Sequence, residues 1–229
     1  LIEIVSEPDM RAPAEAAAFV VCLREILIYT GASIGDMEKG HLRIDANISI
    51  REAGTTELGT KVEIKNMNSI RNCRRAMEIE VDRQIDIVES GGEIKQETML
   101  FDPDVEEVRP MRSKEESEDY RYFPDPDLVP LLVGQAWIDR VAKQIPELPS
   151  AKRERFATDY GFEQSMIEVL TTDRDTADYF EQVVSEGADA RKAANWVQGD
   201  ILRIVNETWV PVAQLKVTPA HLSSLIKLI

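Results

Sequence analysis

No stretch of the chain approaches the run of about 18 apolar residues that a membrane-crossing helix needs, so no membrane partner is expected. Cysteine is scarce. Cys22 and Cys73 each fall in a helical pattern, where buried, reduced thiols are expected, as in a cytoplasm or organellar matrix. His41 and His221 are too far apart for metal-ligand spacing, which excludes a structural zinc site built on them. The glycine-rich P-loop, the GxGxxG turn and the kinase catalytic loop are all missing, and no Ser/Lys or Cys/His nucleophile pair is present. A nucleotide would therefore need a site of another kind. The chain starts without Met, a basic leader or a cleavage signature. Leu1–Val5 and Leu225–Ile229 fall inside regular patterns, so the sequence reads as an internal piece of a longer chain. Positive charge is short: 27 Lys and Arg stand against 42 Asp and Glu, for a net −15. That balance argues against nucleic acid unless the charge is segregated locally.

What is present is ordinary globular material, 43% hydrophobic and 30% charged, enough for one large domain or two smaller ones. Residues 1–5 alternate like a strand. Pro13 opens a helix whose face runs Ala16, Phe19, Val20, Leu23, Ile26, Leu27 and Thr30, and Gly31 ends it. Residues 42–51 are the clearest strand: Leu42, Ile44, Ala46, Ile48 and Ile50 alternate with Arg43, Asp45, Asn47, Ser49 and Arg51. Residues 60–66 repeat the device after a hairpin loop at 52–59. Asn68 or Ser69 caps a helix to about Ser90, with Ile70, Cys73, Met77, Val81, Ile85 and Val88 as its stripe. Two more strands are expected at 94–101 and 105–112, and a short helix near Gln135 to Gln144. Beyond Pro149 strand signals vanish, and helices are expected at 150–159, 163–171, 174–186, 189–208 and from Thr218, with Ser150, Asp173 and Thr218 as caps. The fold class is α+β: a mixed or antiparallel sheet with flanking helices over residues 1–147, then an all-helical domain over 148–229.

Three features could carry chemistry. On the polar strand face Asp45 and Asn47 point the same way, about 7 Å apart. Glu63 and Lys65 do so on the next strand, and Glu3 lies on a third. Three converging carboxylates repel unless protonated or bound to a cation. A hard, oxygen-seeking ion such as magnesium would satisfy them. A plain solvated sheet face would hold the same residues. The second feature is Asn66-Met67-Asn68-Ser69 ahead of Arg71, Arg74 and Arg75. Arginines in the first turns oppose the helix dipole, which points either to an anion such as phosphate or to ion pairs within the chain. The third is Arg112, Lys114, Tyr120, Arg121 and Tyr122 before a proline-rich run, which suit a hinge or stacking contacts with RNA.

Several strings resemble the B subunit of aspartyl/glutamyl-tRNA amidotransferase. They are Leu1-Ile2-Glu3-Ile4-Val5-Ser6-Glu7-Pro8-Asp9, Leu42-Arg43-Ile44-Asp45-Ala46-Asn47-Ile48-Ser49 and Glu63-Ile64-Lys65-Asn66-Met67-Asn68-Ser69. Gly91-Gly92-Glu93 with Gln96-Glu97-Thr98, the stretch from Met111 to Leu128, Pro146-Glu147-Leu148-Pro149 and Asn195-Trp196 extend the resemblance to both ends. It implies the C-terminal part of a cradle domain followed by a truncated helical domain, with further cradle before Leu1 and a tail domain after Ile229. It also implies a ligase that uses ATP and Mg2+ to phosphorylate the side-chain carboxylate of Glu-tRNA(Gln) or Asp-tRNA(Asn). Ammonia from the glutaminase A subunit then completes the amide, and a C subunit completes the assembly. On that basis Glu3, Asp45 and Glu63 would hold the metal and serve catalysis. Arg43, Asn47, Lys65, Asn66, Asn68 and Arg71 would contact ATP, phosphate or substrate. Arg112, Lys114, Tyr120, Arg121 and Tyr122 would meet the tRNA. The resemblance implies that this piece alone is inactive. A non-catalytic RNA-binding module and a purely structural assembly subunit are the rival readings, and both predict that alanine at Asp45 or Glu63 leaves turnover unchanged.

Overall fold

A computed structural model describes residues 2–111 and 127–229. It divides into two compact units, one of residues 1–24 and 35–135, the other of residues 25–34 and 136–229.

The first unit is built on a four-stranded mixed sheet. Its strands are β1 (Ala46–Ile48), β2 (Val62–Lys65), β3 (Thr98–Asp102) and β4 (Glu107–Pro110), in that spatial order. β1 and β2 are antiparallel, with Ala46 opposite Ile64 and Asn47 opposite Glu63. β2 and β3 are parallel, with Glu63 beside Thr98, and β3 and β4 form an antiparallel pair. Helix α2 (Ile70–Glu89) makes the crossover between the parallel strands that such a pairing requires. Ile48, Val62, Ile64, Met99 and Phe101 bury one face of the sheet together with Met67, Cys73, Ala76 and Met77. At about 25 cal/mol per Å² this burial is the main term holding the layer together.

The expected strand at 42–51 shrinks to three laddered residues, yet its alternation survives: Leu42, Ile44 and Ala46 are half-buried while Arg43, Asp45 and Asn47 are exposed. The β1–β2 connection spans 49–61. Gly59 is required there, because a Cβ would come within 2.2 Å of the Ile50 carbonyl oxygen.

Other expectations fail in this unit. Residues 2–7 form no strand, and Ile2, Ile4 and Val5 are exposed. Alternation alone does not make a strand when no neighbour takes up its backbone groups. The stripe expected on α2 is also rotated. Its buried residues are Cys73, Ala76, Met77, Glu80 and Gln84, while Ile85 and Val88 are exposed. Ser69 is the N-cap, accepting from the Asn72 N–H at 3.0 Å. At the other end the Gly92 N–H reaches the Ile87 carbonyl, closing the helix with Gly91 left-handed.

α1 (Pro13–Tyr29) has the predicted bounds, but Ala17, Val20 and Tyr29 are its buried residues, and Phe19 and Ile26 are exposed. Cys22 is exposed on this helix, contrary to expectation, whereas Cys73 is buried and its thiol is pushed up to about 11 by that burial.

The second unit is helical: α3 (Gln135–Ala142), α4 (Pro149–Tyr160), α5 (Gln164–Leu170), α6 (Arg174–Ser185), α7 (Ala190–Trp196), α8 (Leu202–Thr208) and α9 (Pro219–Leu228). The run expected at 189–208 is one helical path interrupted by a π-helical turn, Val197–Ile201. Asp173 and Thr218 cap as predicted. Ser150 does not, because Pro149 already occupies the first helical position, where its missing N–H costs nothing. Phe156, Phe162, Leu170, Phe180, Ala193 and Val197 lie in the core. The Phe156 and Phe180 rings meet edge-on at 5.3 Å, a favoured aromatic geometry.

Candidate functional site on the open face of the sheet

With α2 covering one face of the sheet, the other carries what the period of two assigns to it. Asn47 stands opposite Glu63, and Thr98 stands beside Glu63 on the far side. Asp45, just before β1, completes the row by continuing the register toward Lys65.

The Lys65 ammonium lies 3.4 Å from Glu63 Oε1 and 3.7 Å from Asp45 Oδ2. The Thr98 hydroxyl donates to Glu63 Oε2 at 3.0 Å. Each oxygen of Glu63 therefore has its own partner, and the two carboxylates share one cation. Both are about a third to a half exposed, so the pairs are screened and weak as stability terms. A depression of about 240 Å³ opens beside Glu63, lined by Asn47, Lys61, Glu63, Gln96, Glu97 and Thr98.

The C-terminal end of β2 leads straight into the start of α2. Asn66 takes a left-handed conformation (φ 68°), and its side-chain amide donates to the Phe101 carbonyl at 3.1 Å. Asn68 Oδ1 accepts from the Asn72 amide at 2.8 Å. Of the arginines, Arg74 pairs with Glu78 at 2.8 Å and Arg75 with Glu106 at 2.9 Å. Ion pairs within the chain thus account for two of the three. Arg71 is exposed and has no hydrogen bond or ion pair among the described residues. The depression beside Glu63 lies at the other end of the parallel strands, since Lys61, Gln96 and Glu97 precede β2 and β3, so Lys65 and Arg71 mark the carboxyl end of β2 and the depression its amino end.

The structure brings together Asp45, Asn47, Glu63 and Lys65, and adds Thr98, Gln96 and Lys61. It does not bring Glu3 to them. Glu3 is exposed on a segment outside the sheet, and among the described residues no group of three His, Cys, Asp or Glu could hold a metal ion. Arg43 is exposed ahead of β1. Arg112, Lys114, Tyr120, Arg121 and Tyr122 lie outside the described residues. Sequence reasoning misses Thr98 as a site residue because only the parallel register of β2 and β3 places it at Glu63. The Gln96-Glu97-Thr98 string was the available signal.

The oxygen donors of Asp45, Glu63 and Asn47 suit a hard cation. Magnesium commonly takes one or two carboxylates and completes its shell with water and phosphate oxygens.

The chain matches the family described as the GatB/GatE catalytic domain over residues 1–139, and a GatB domain over residues 178–229. The chain belongs to the GatB/GatE catalytic domain family. The B subunit of the aspartyl/glutamyl-tRNA(Asn/Gln) amidotransferase of Solidesulfovibrio magneticus is 51% identical over all 229 residues, which cover 48% of that protein. The proteins of the same name from Chlorobaculum tepidum and Geobacter sulfurreducens are 49% and 48% identical, again over all of this chain and 48% of theirs. The chain spans about half the length of these curated relatives. No helix among the described residues is long and apolar enough to cross a membrane.

Proposed function

We propose that this chain carries part of the centre that amidates misacylated tRNA in an aspartyl/glutamyl-tRNA amidotransferase. The observation that carries the reading is the Asp45–Lys65–Glu63 row on the open sheet face, beside the start of α2. The reaction has two steps. A side-chain carboxylate oxygen of Glu or Asp on the tRNA attacks the γ-phosphorus of ATP, and the bond to ADP breaks. Ammonia, delivered by the glutaminase A subunit, then attacks the acyl-phosphate carbonyl carbon. Phosphate leaves and a proton is lost.

The first step drives one anion against another, so catalysis is chiefly charge neutralisation and alignment. Magnesium, when bound, would neutralise the phosphate charge and orient it. Asp45 and Glu63 are the residues of this face that would hold it. Lys65 now bridges them, and an ion on the carboxylates would leave its ammonium for a phosphate oxygen. The Asn47 amide beside Glu63 supplies a neutral donor to the same region. Arg71 is a cation suited to a further phosphate contact. Asn66 and Asn68 hold the turn that aims these groups. Arg43 lies on the approach to the face. Glu3 enters through the family resemblance alone, and Glu3→Gln tests it separately. Arg112, Lys114, Tyr120, Arg121 and Tyr122 would contact the tRNA. A and C subunits would complete the assembly.

The test is calorimetric titration of magnesium into the full-length subunit, with amidation assayed in the assembled enzyme. Asp45→Asn and Glu63→Gln keep side-chain shape and remove charge. Each is expected to weaken magnesium binding and to lower amidation by at least about 100-fold, since ligands matter more than the residues that support them. Wild-type binding and turnover in both variants would sink the proposal.

A further inference from the structure

Two side chains on the inner stripe of α2 are polar and wholly enclosed: Glu80 and Gln84 both have 0% exposure. Buried polar groups persist when their bonding capacity is met, and here it is met in a particular direction. Gln84 Oε1 accepts from the Ile50 N–H at 3.1 Å. Its amide donates to the Ile48 carbonyl at 3.2 Å and to Glu80 Oε1 at 2.7 Å. Glu80 in turn receives a fork from Arg83, Nε to Oε2 at 2.8 Å and Nη2 to Oε1 at 2.9 Å. The same Nη2 reaches Glu97 Oε1 at 3.1 Å. The Glu97 carbonyl then accepts the Glu63 N–H at 3.0 Å. From the end of β1 to Glu63 the hydrogen-bonded path is unbroken.

The network grips both strands that flank β2. Gln84 holds the end of β1, the strand of Asn47. Arg83 holds Glu97, directly ahead of Thr98, whose hydroxyl fixes one oxygen of Glu63. Gln96, Glu97 and Thr98 form one wall of the depression beside Glu63, and Asn47 is on another. A helix could be fastened to a sheet by apolar contacts alone. A fork that ends on the segment carrying the wall of the site does something more specific.

We propose that Arg83 and Glu97, braced by Glu80 and Gln84, are positioning residues that set the orientation of Glu63 and of the Gln96–Thr98 wall. The proposal rests on the reading of this face as the phosphoryl-transfer site. Arg83 is suited to the task because its planar fork fixes two directions at once, which a lysine ammonium does not.

The test uses the full-length subunit, with Arg83→Met, Glu97→Ala, the double variant and Glu97→Gln, which keeps an acceptor oxygen for Arg83. Both positions are about a third exposed, and Glu97→Ala and Glu97→Gln keep the Arg83 fork on Glu80, whereas Arg83→Met also strips Glu80 of it. Magnesium affinity is read by calorimetry, thermal midpoint alongside it, and kcat and KM for ATP in the assembled enzyme. Outer-shell partners of this kind change affinity or activity by about 10–100-fold. Arg83→Met and Glu97→Ala are each expected to weaken magnesium binding about tenfold, with Glu97→Gln recovering part of the loss. The double variant should be no worse than Arg83→Met alone, because the link to Glu97 is already cut there. Lower thermal midpoints with wild-type magnesium affinity and kcat would make the network a mere brace and overturn the proposal. So would losses that add in the double variant. Glu63→Gln is the control. If it changes magnesium binding and Arg83→Met does not, only this inference falls. If Glu63→Gln changes nothing, the reading of the face falls and this inference with it.

Discussion

Asn66 is where β2 stops and the approach to α2 begins, and the turn depends on its backbone conformation. A left-handed φ of 68° is open to asparagine and costly for residues with larger constraints near the backbone. Its amide also ties the turn to Phe101 on β3. Asn66→Ala should lose both, lowering stability by about 1–2 kcal/mol. Asn66→Gly keeps the conformation and loses only the bond, so about 1 kcal/mol or less is expected. Urea midpoints of the two variants measure the split, and equal losses would show that conformation is not the issue. At this scale much of the site was legible. Asp45 pairs in direction with Asn47, and Glu63 with Lys65, because strand side chains alternate, and the register of β1 against β2 puts both pairs on one face. Glu3 was not legible, because alternation tells which residues share a face only if a strand forms.

Among the elements, caps translate most directly from sequence to energy. Asp173 accepts from the Thr176 N–H and from the Thr176 hydroxyl, both at 2.8 Å, at the start of α6. Asp173→Ala should cost about 1 kcal/mol, and Asp173→Asn much less. That cost corresponds to a fall in melting temperature of about 2–4 °C, measurable by calorimetry. α2 shows the opposite case. Its apolar residues predicted one stripe, and the fold buried another that contains Glu80 and Gln84. Hydrophobic periodicity assumes that what is buried is apolar. The backbone groups of Ile48 and Ile50, left at the end of β1, made a glutamine more useful than a leucine.

Across the helical unit the charges form a connected set. Lys152 exposes only 5% of its surface, and its ammonium lies 2.7 Å from Glu181 and 2.9 Å from Asp178. Burial opposes that charge, but the hydrogen bonds to Glu181 and Asp178 outweigh it and hold the ammonium above its ordinary range. Arg155 forks onto Glu147 at 2.6 and 2.8 Å and also reaches Glu181 at 2.7 Å. The hydrogen bond from Arg155 is the main reason that Glu147 titrates below its ordinary 4.5. A depressed carboxylate contributes stability above its unfolded value and loses it as pH falls through the folded one. The Glu147 contribution is therefore intact near neutrality and fades below about pH 4.5. Glu147→Gln should lower the melting temperature at pH 7 and flatten its fall on acidification below that point. Parallel curves for variant and wild type would assign the acid sensitivity to other groups. The chain's net charge of −15 at pH 7 reaches zero near its pI of about 4.7, so relief of self-repulsion on acidification is complete before the Glu147 window opens.

The α+β class, the switch to helices after Pro149, a cap at Asn68 or Ser69, the caps at Asp173 and Thr218, and the polar alternation on the strands follow from local rules of period, capping and turn chemistry. These rules act over a few residues, so the sequence by itself determined them. Tertiary structure alone decided the rest. Thr98 meets Glu63 across 35 residues because β2 and β3 pair in parallel. Tyr29, 142 residues from Thr171, donates to its carbonyl within the helical unit. Gln84 faces inward because strand ends left bonds to be filled. In each case the partner is distant in sequence, and a side chain's role is set by which backbone groups and charges the fold brings within about 3 Å of it.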